Sequence, residues 1–234
     1  MSMIEDEILT SPDTSERKKY SLKIHRLSNP CVAVIDNFLS DDICDELISD
    51  LENAPGDWTR ASVVGEGGTS EEHHARTNQS KGLAYENSGA ARRFLQYASK
   101  LVNLHPAQAE NLSCIKYDIG QKYDAHEDNF KELDNNTPEA GNRVCTVLLY
   151  LTDVIEGGET DFPYLNIRVA PKKGRVIYFE TSHKGTEQGL KLSSHAAMPV
   201  IRGEKIAVNL WFRRTIYNQD LYQKIQEKIK NDYK

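Results

Sequence analysis

Two segments far apart in the sequence carry the donor types of a metal site. His126 and Asp128 lie two positions apart, and on an extended strand that spacing points both to one face and turns Glu127 away. An imidazole and a carboxylate then converge. By itself the pair proves little, because seven histidines and sixteen aspartates in 234 residues produce about half a His-x-Asp by chance. The third donor is His195, in Leu192-Ser193-Ser194-His195-Ala196-Ala197-Met198, a β-capable run distant in sequence. A lone histidine on an apolar strand is more often a satisfied core residue than a ligand. Two imidazoles and one carboxylate on one face of a metal leave the remaining positions open for exogenous ligands, a donor set that suits non-haem Fe(II).

Lys205 follows His195 across a turn at Arg202-Gly203-Glu204, and the two flanking strands are expected to form a hairpin. In the returning strand Ile206, Val208, Leu210 and Phe212 take one face, while Lys205, Ala207, Asn209 and Trp211 take the other. The second face is either solvated or turned into a barrel. In the second case Lys205 is a cation beside the metal, able to pair with a dianionic cosubstrate whose other end chelates the ion.

Such a site needs a scaffold that brings distant strands side by side. From Leu112 onward short β-rich runs alternate with turns, over 112–117, 143–151, 167–169, 174–179, 193–200 and 205–213. Earlier in the chain, Asn29 and Pro30 mark a turn and Cys31-Val32-Ala33-Val34-Ile35 reads as a buried strand. Ser40-Asp41-Asp42 offers a helix N-cap, after which Ile43, Leu47 and Leu51 recur on one stripe. A second helix is predicted over 89–103, with Phe94, Tyr97, Ala98 and Leu101 on one side. Residues 65–80 are polar and aperiodic, with Gly65, Gly67 and Gly68, and read as a long mobile loop. The predicted class is α+β, mainly β: a double-stranded β-helix, or jelly roll, with helices packed on one outer face. Residues 1–20 form a charged tail, expected to be disordered, and 21–215 form the domain. Residues 216–234 form a mixed-charge helix with Leu221, Ile225 and Ile229 on one stripe, packed on the barrel or on a partner.

The net charge of −6 and a pI near 5.7 deprive the chain of the broad positive field that nucleic acid or an anionic membrane attracts. The longest apolar stretch, 144–151, falls far short of the ~20 residues of a membrane span, and residues 1–19 contain no apolar core of a secretory signal. A soluble cytoplasmic protein, monomer or homodimer, is expected. Four cysteines without C-x-x-C spacing read as small buried side chains in a reducing compartment rather than as a zinc site.

Taken together, these residues resemble the prolyl 4-hydroxylase branch of the 2-oxoglutarate/Fe(II) dioxygenases. The matching stretches, in family order, are Asn37-Phe38-Leu39-Ser40, Tyr117-Asp118-Ile119-Gly120-Gln121-Lys122-Tyr123, His126-Glu127-Asp128 and the run from Arg143 to Leu151. They continue through Gly157-Gly158-Glu159-Thr160-Asp161-Phe162-Pro163, Pro171-Lys172-Lys173-Gly174, His195-Ala196-Ala197-Met198-Pro199-Val200, and Lys205 followed by Trp211. The resemblance implies iron held by His126, Asp128 and His195. It implies 2-oxoglutarate chelating that iron while its C5-carboxylate meets Lys205, O2 as the second cosubstrate, and L-ascorbate as reductant. Oxidative decarboxylation then yields succinate and carbon dioxide and places a hydroxyl on an unactivated C–H bond. By position Tyr117 and Thr160 are further C5-carboxylate contacts; the alternative is a buried hydroxyl bonded to backbone.

Around a bound peptide the family pattern points to Tyr123, Glu127, Arg143 and Trp211. Core packing for Trp211 and a surface salt bridge for Arg143 are the alternatives. Two departures stand out. The family often has His two residues after this Trp, where this chain has Arg213, and the loop His73-His74-Ala75-Arg76-Thr77 keeps only an Arg-Thr. That loop and residues 129–142 could close over an extended peptide. The implied function is hydroxylation of proline in an intracellular protein or peptide. The same chemistry on a free amino acid or small metabolite, and a catalytically silent jelly-roll binding module, are the other readings.

Overall fold

Side-chain alternation along the central strands divides this chain into two cores. The computed structural model describes residues 23–26, 32–64, 70–71, 73–130 and 139–232; the expected tail, the turn at Asn29 and Pro30, and parts of both polar loops lie outside them. In chain order the strands are β1 (Lys23–Arg26), β2 (Val32–Asp36), β3 (Thr59–Arg60), β4 (Val63–Val64), β5 (Ser70–Glu71), β6 (Gln79–Leu83), β7 (Leu112–Tyr117) and β8 (Tyr123–His126). Then come β9 (Arg143–Tyr150), β10 (Glu156–Gly157), β11 (Thr160–Phe162), β12 (Ile167–Val169), β13 (Val176–Glu180), β14 (His195–Ala197), β15 (Val200–Arg202) and β16 (Lys205–Arg213). The α-helices are α1 (Asp41–Asn53), α2 (Gly89–Val102) and α3 (Gln219–Asp232).

An eight-stranded sheet runs in the order β1-β2-β13-β9-β16-β7-β6-β3, and a four-stranded sheet in the order β12-β11-β14-β8. The jelly roll expected from the strand pattern is formed by these two layers. Between them lie Val34, Ile115, Leu148, Tyr150, Phe162, Ile177, Phe179 and Ala207. The other face of the large sheet is sealed by α1 and α2, with Leu47, Leu51, Phe94 and Ala98 packed on Cys114, Val147, Leu149, Val208 and Leu210. Both faces of β16 are therefore covered. Ile206, Val208, Leu210 and Phe212 lie under the helices, and Lys205 is turned into the roll with 1% of its surface exposed.

The helices form where local chemistry favours them. Asp41 and Asp42 occupy the first turn of α1, where carboxylates meet the positive end of the helix dipole. The Ser88 hydroxyl accepts from the Ala91 amide at 2.9 Å to cap α2, and Asn103 ends it in the left-handed region at φ 53°. In α3 only the first turns are anchored: Leu221 packs on the core, whereas Ile229 is 45% exposed.

Three expectations change. The run 193–200 is not one strand but a 3-10 turn (Lys191–Ser193) followed by β14 and then β15, separated at Pro199, which has no N–H to donate to a ladder. The hairpin expected across Arg202-Gly203-Glu204 is absent, because β15 pairs with β10 while β16 pairs with β7 and β9. The turn instead carries the chain out of the β10–β15 pair into the large sheet, with Gly203 at φ 104°. The expected loop 65–80 is shorter, since β4 pairs with β5 and Gln79–Leu83 joins the large sheet beside β7. Strand β6 is polar because its contribution is a backbone ladder rather than a buried face.

Phe94 is fully buried between the helices and the sheet. Phe94→Ala is expected to destabilise the fold by about 3–5 kcal/mol. Chemical denaturation monitored by circular dichroism measures this, and a loss under about 1 kcal/mol would show that the helical layer is not a structural requirement.

Candidate active site

The short sheet sets the first pair of donors directly opposite each other, His195 against His126 in the antiparallel register of β14 and β8. Their rings are 4.4 Å apart between centroids. Asp128 stands two residues past the end of β8, at a bend rather than on the expected strand, and is buried. Its Oδ1 is 3.7 Å from His126 Nε2 and its Oδ2 is 3.8 Å from His195 Nε2. One ligand atom from each residue falls within 4.8 Å of the others, the dimension of a single metal ion's shell.

Backbone carbonyls decide which nitrogens are offered. His126 Nδ1 donates to the Asp124 carbonyl at 2.9 Å and His195 Nδ1 to the Ser193 carbonyl at 3.0 Å, since a carbonyl can only accept. Both Nε2 lone pairs are left to face Asp128, the arrangement in which outer partners orient metal-binding imidazoles. Thr146 Oγ1 donates to Asp128 Oδ2 at 2.7 Å. Burial, and then His195, push His126 down to about 3, which keeps it a neutral ligand. Burial works to raise the Asp128 pKa, but His195, His126, Arg143 and the Thr146 hydroxyl outweigh it and bring it to about 2. Two imidazole nitrogens and an ionised carboxylate fit a divalent cation.

Lys205 pairs with Tyr117 across β16 and β7, and its Nζ lies 5.0 Å from the Tyr117 ring centroid and 5.4 Å from that of Tyr150. Burial pushes its pKa down to about 7, against a smaller opposing effect of Glu159. The Thr160 hydroxyl, at the start of β11, is 2.6 Å from the Tyr150 hydroxyl rather than bonded to backbone. A turn of glycines lets this strand come so close. At Gly157, φ 78°, a Cβ would stand 2.3 Å from the Pro199 carbonyl oxygen, and at Gly158 one would lie 3.5 Å from Lys205 Cδ.

The other expected residues form the mouth. Tyr123 stacks on His126 with centroids 3.6 Å apart, and the Arg76 guanidinium lies 4.7 Å above the same tyrosine ring. Arg143 lies 3.6 Å over the Trp211 ring, and its Nη1 donates to the Asp128 carbonyl at 3.4 Å. Trp211 is half-buried, and its Nε1 is a donor without a partner among the described residues. Arg143 makes no surface salt bridge: Nε and Nη2 donate to the two oxygens of Glu110 at 2.7 and 2.9 Å in a largely buried pair. Glu127 is half-buried beside Asp128 and is not the acid that meets Arg143.

Glu110 and Thr146 escaped the sequence reading. Glu110 sits in an irregular turn with no local signal, and reaches the site only because its amide donates to the Trp211 carbonyl at 2.9 Å. Thr146 carries a signal in hindsight, since it lies an even number of residues before Leu148 and Tyr150 on the inward face of β9. Arg143 lies an odd number away and belongs outside by strict alternation. Arg213 shares the inward face of Lys205 and Trp211, and the bulge that skips Val144 opposite the Phe212–Arg213 step pairs Arg143 with it and returns Arg143 to the inner side. His73 and His74 are exposed and stack on each other, and neither is in a metal-competent cluster among the described residues.

The arrangement matches known proteins. Residues 112–213 match the family model of the 2OG-Fe(II) oxygenase superfamily. Prolyl 4-hydroxylase 2 of Arabidopsis thaliana is 31% identical over 206 residues, 79% of this chain and 67% of that protein. Prolyl 4-hydroxylase 5 of the same plant is 30% identical, over 78% of this chain and 68% of its own length. The crystal structure of a viral collagen prolyl hydroxylase from Paramecium Bursaria Chlorella virus-1, in its 2-oxoglutarate complex, superposes with a TM-score of 0.63 at 28% identity, over 78% of this chain and 95% of that one.

The carboxylate ligand depends on Thr146 for its orientation. Thr146→Val, which keeps the shape and removes the hydrogen bond, is expected to weaken divalent-metal affinity about 10–100-fold. Anaerobic titration with Fe(II) or Mn(II) measures this, and unchanged affinity would remove Thr146 from the site. Donor set, strand register and relatives agree, and the chain belongs to the prolyl 4-hydroxylase family of 2-oxoglutarate- and Fe(II)-dependent oxygenases.

Proposed function

We propose that this enzyme hydroxylates proline in a protein or peptide, coupled to oxidative decarboxylation of 2-oxoglutarate. The observation that carries this reading is the convergence of His126, Asp128 and His195 in a roll that also buries the Lys205 cation. Proline as the target is supported by the relatives, which bear the name prolyl 4-hydroxylase, and by the viral collagen prolyl hydroxylase.

In this reading His126, Asp128 and His195 hold Fe(II), and the bound metal with 2-oxoglutarate and O2 supplies the oxidising power for an unactivated C–H bond. Lys205 receives the C5-carboxylate, with the Tyr117 and Thr160 hydroxyls beside it. A cation already stripped of water binds a carboxylate more strongly than an exposed one, because the desolvation has been met in folding. Tyr123, Arg143, Glu127 and Trp211 line the peptide, and the unpartnered Trp211 Nε1 is a donor suited to a carbonyl. The aromatic walls exclude water from the reacting bond. The target is intracellular, the enzyme cytoplasmic, and L-ascorbate the reductant that maintains Fe(II); the free, buried thiols of Cys44, Cys114 and Cys145 suit a reducing compartment.

Four outcomes test this. Succinate release is expected to require Fe(II) and to vanish in His126→Ala, and mass spectrometry of proline-containing peptides is expected to show one added oxygen localised to proline. Oxygen on another residue, or on a free amino acid alone, would overturn the assignment. Lys205→Ala is expected to lose 2-oxoglutarate binding while keeping Fe(II). The Lys205 pKa also sets a pH dependence. The dianion binds the ammonium, so affinity is flat below about pH 7 and falls as pH rises above it, by up to about tenfold per unit. The ligand-free fold has the opposite slope, gaining stability above about pH 7 because the unfolded chain keeps its proton up to about 10.5. A 2-oxoglutarate Kd constant from pH 6.5 to 9 would contradict the anchor.

A further inference from the structure

Glu110 is claimed by two arginines. Its Oε1 is 2.7 Å from Arg143 Nε and 2.6 Å from Arg213 Nε, and its Oε2 accepts from Arg143 Nη2 at 2.9 Å. Arg213 is 3% exposed, and its Nη1 donates to the Gly141 carbonyl at 2.9 Å. The Phe130 ring lies about equally near both guanidiniums, 5.0 Å from Arg143 and 4.9 Å from Arg213. Two cations share one anion in a largely buried array. Without Arg213, Arg143 and Glu110 would form a closed, neutral bidentate pair. With it, two guanidiniums face one carboxylate, and the three groups together keep a net positive charge beside a metal-ligand backbone and Trp211.

The opposite flank has the same sign. Arg76 stands over Tyr123 and donates to neutral acceptors, Asn78 Oδ1 at 3.1 Å and the Ser62 carbonyl at 2.8 Å. Among the described residues Asp124 pairs with Lys122 and Glu187 with Arg214, and Glu127 is the acid beside Asp128. Fe(II), Asp128, Lys205 and a dianionic cosubstrate cancel one another. Among the described residues, Arg76, Arg143 and Arg213 of this wall therefore outnumber Glu110 and Glu127, in a chain whose overall charge is −6.

We propose that Arg213 is a specificity-determining positioning residue: acting through Glu110, it frees the charge of Arg143 to select peptides with an aspartate or glutamate beside the target proline. The proposal rests on the reading of this site as a peptidyl-prolyl hydroxylase. A partly desolvated charge beside the reacting residue discriminates strongly between acidic and neutral neighbours, and the discrimination resides in peptide binding.

The test compares proline peptides of equal length with aspartate, alanine or lysine flanking the proline. The wild-type KM is expected to be at least about tenfold lower for the aspartate peptide than for the alanine peptide, and higher again for lysine, with kcat much less affected. In Arg213→Met the aspartate preference should fall to about twofold or less, and Arg213→Lys should restore most of it. Glu110→Gln, which removes the shared anion, should increase the preference. A general structural disturbance would move the Met and Gln variants the same way, so opposite shifts support the assignment and parallel shifts overturn it. Equal use of aspartate and alanine peptides by the wild type overturns it without any variant. If no peptide gains oxygen on proline, the proposed activity fails first; if all three gain it equally, only the role of Arg213 fails.

Discussion

A lysine ammonium taken out of water without an anion in contact is among the least favourable groups a fold can contain. In this chain it follows directly from the architecture. Strand β16 lies in the middle of the large sheet with both faces covered, so a residue that alternates with Ile206 and Val208 must enter the roll. Tyr117 and Tyr150 provide aromatic faces, and Gly158 leaves room for the stem. None of these neutralises the charge. The roll therefore holds a buried cation with no anion in contact among the described residues.

The metal half meets the complementary demand. Its histidines come from a four-stranded sheet whose register sets two imidazoles opposite each other, and the carbonyls of Asp124 in β8 and of Ser193 in the turn before β14 hold both rings in the tautomer that exposes Nε2. The aspartate comes from the bend after the strand and is tied to the large sheet through Thr146. The site thus bridges both layers. A shift of one sheet against the other would separate the carboxylate from its hydroxyl, and the close-packed apolar layer between the sheets opposes such a shift.

Charge is distributed on two scales. The chain as a whole is acidic, yet Arg76, Arg143 and Arg213 cluster beside the metal donors. At physiological ionic strength charges beyond about 8–10 Å are largely screened in solvent, whereas the partly buried arginines act at short range. Global acidity and a local cluster of arginines are therefore compatible.

Period-two alternation placed Lys205 opposite the apolar stripe of its strand, and the four-residue recurrence of Ile43, Leu47 and Leu51 placed α1, because these patterns are local. The amino-acid order of the donors, together with the matching stretches, was enough to expect iron, 2-oxoglutarate and a jelly roll with helices on one face. The expected hairpin after His195 failed because a turn looks the same whether it joins partners in one sheet or passes from one pairing to another. Arg143 faces inward through a bulge that strict alternation denies, and Glu110 arrives from a turn with no periodicity at all. Strand pairing between segments far apart in the chain is a property of the folded backbone. The sequence alone therefore determined which residues could do the chemistry, and the tertiary structure alone decided that Arg213, Glu110 and Arg143 share one charge beside it.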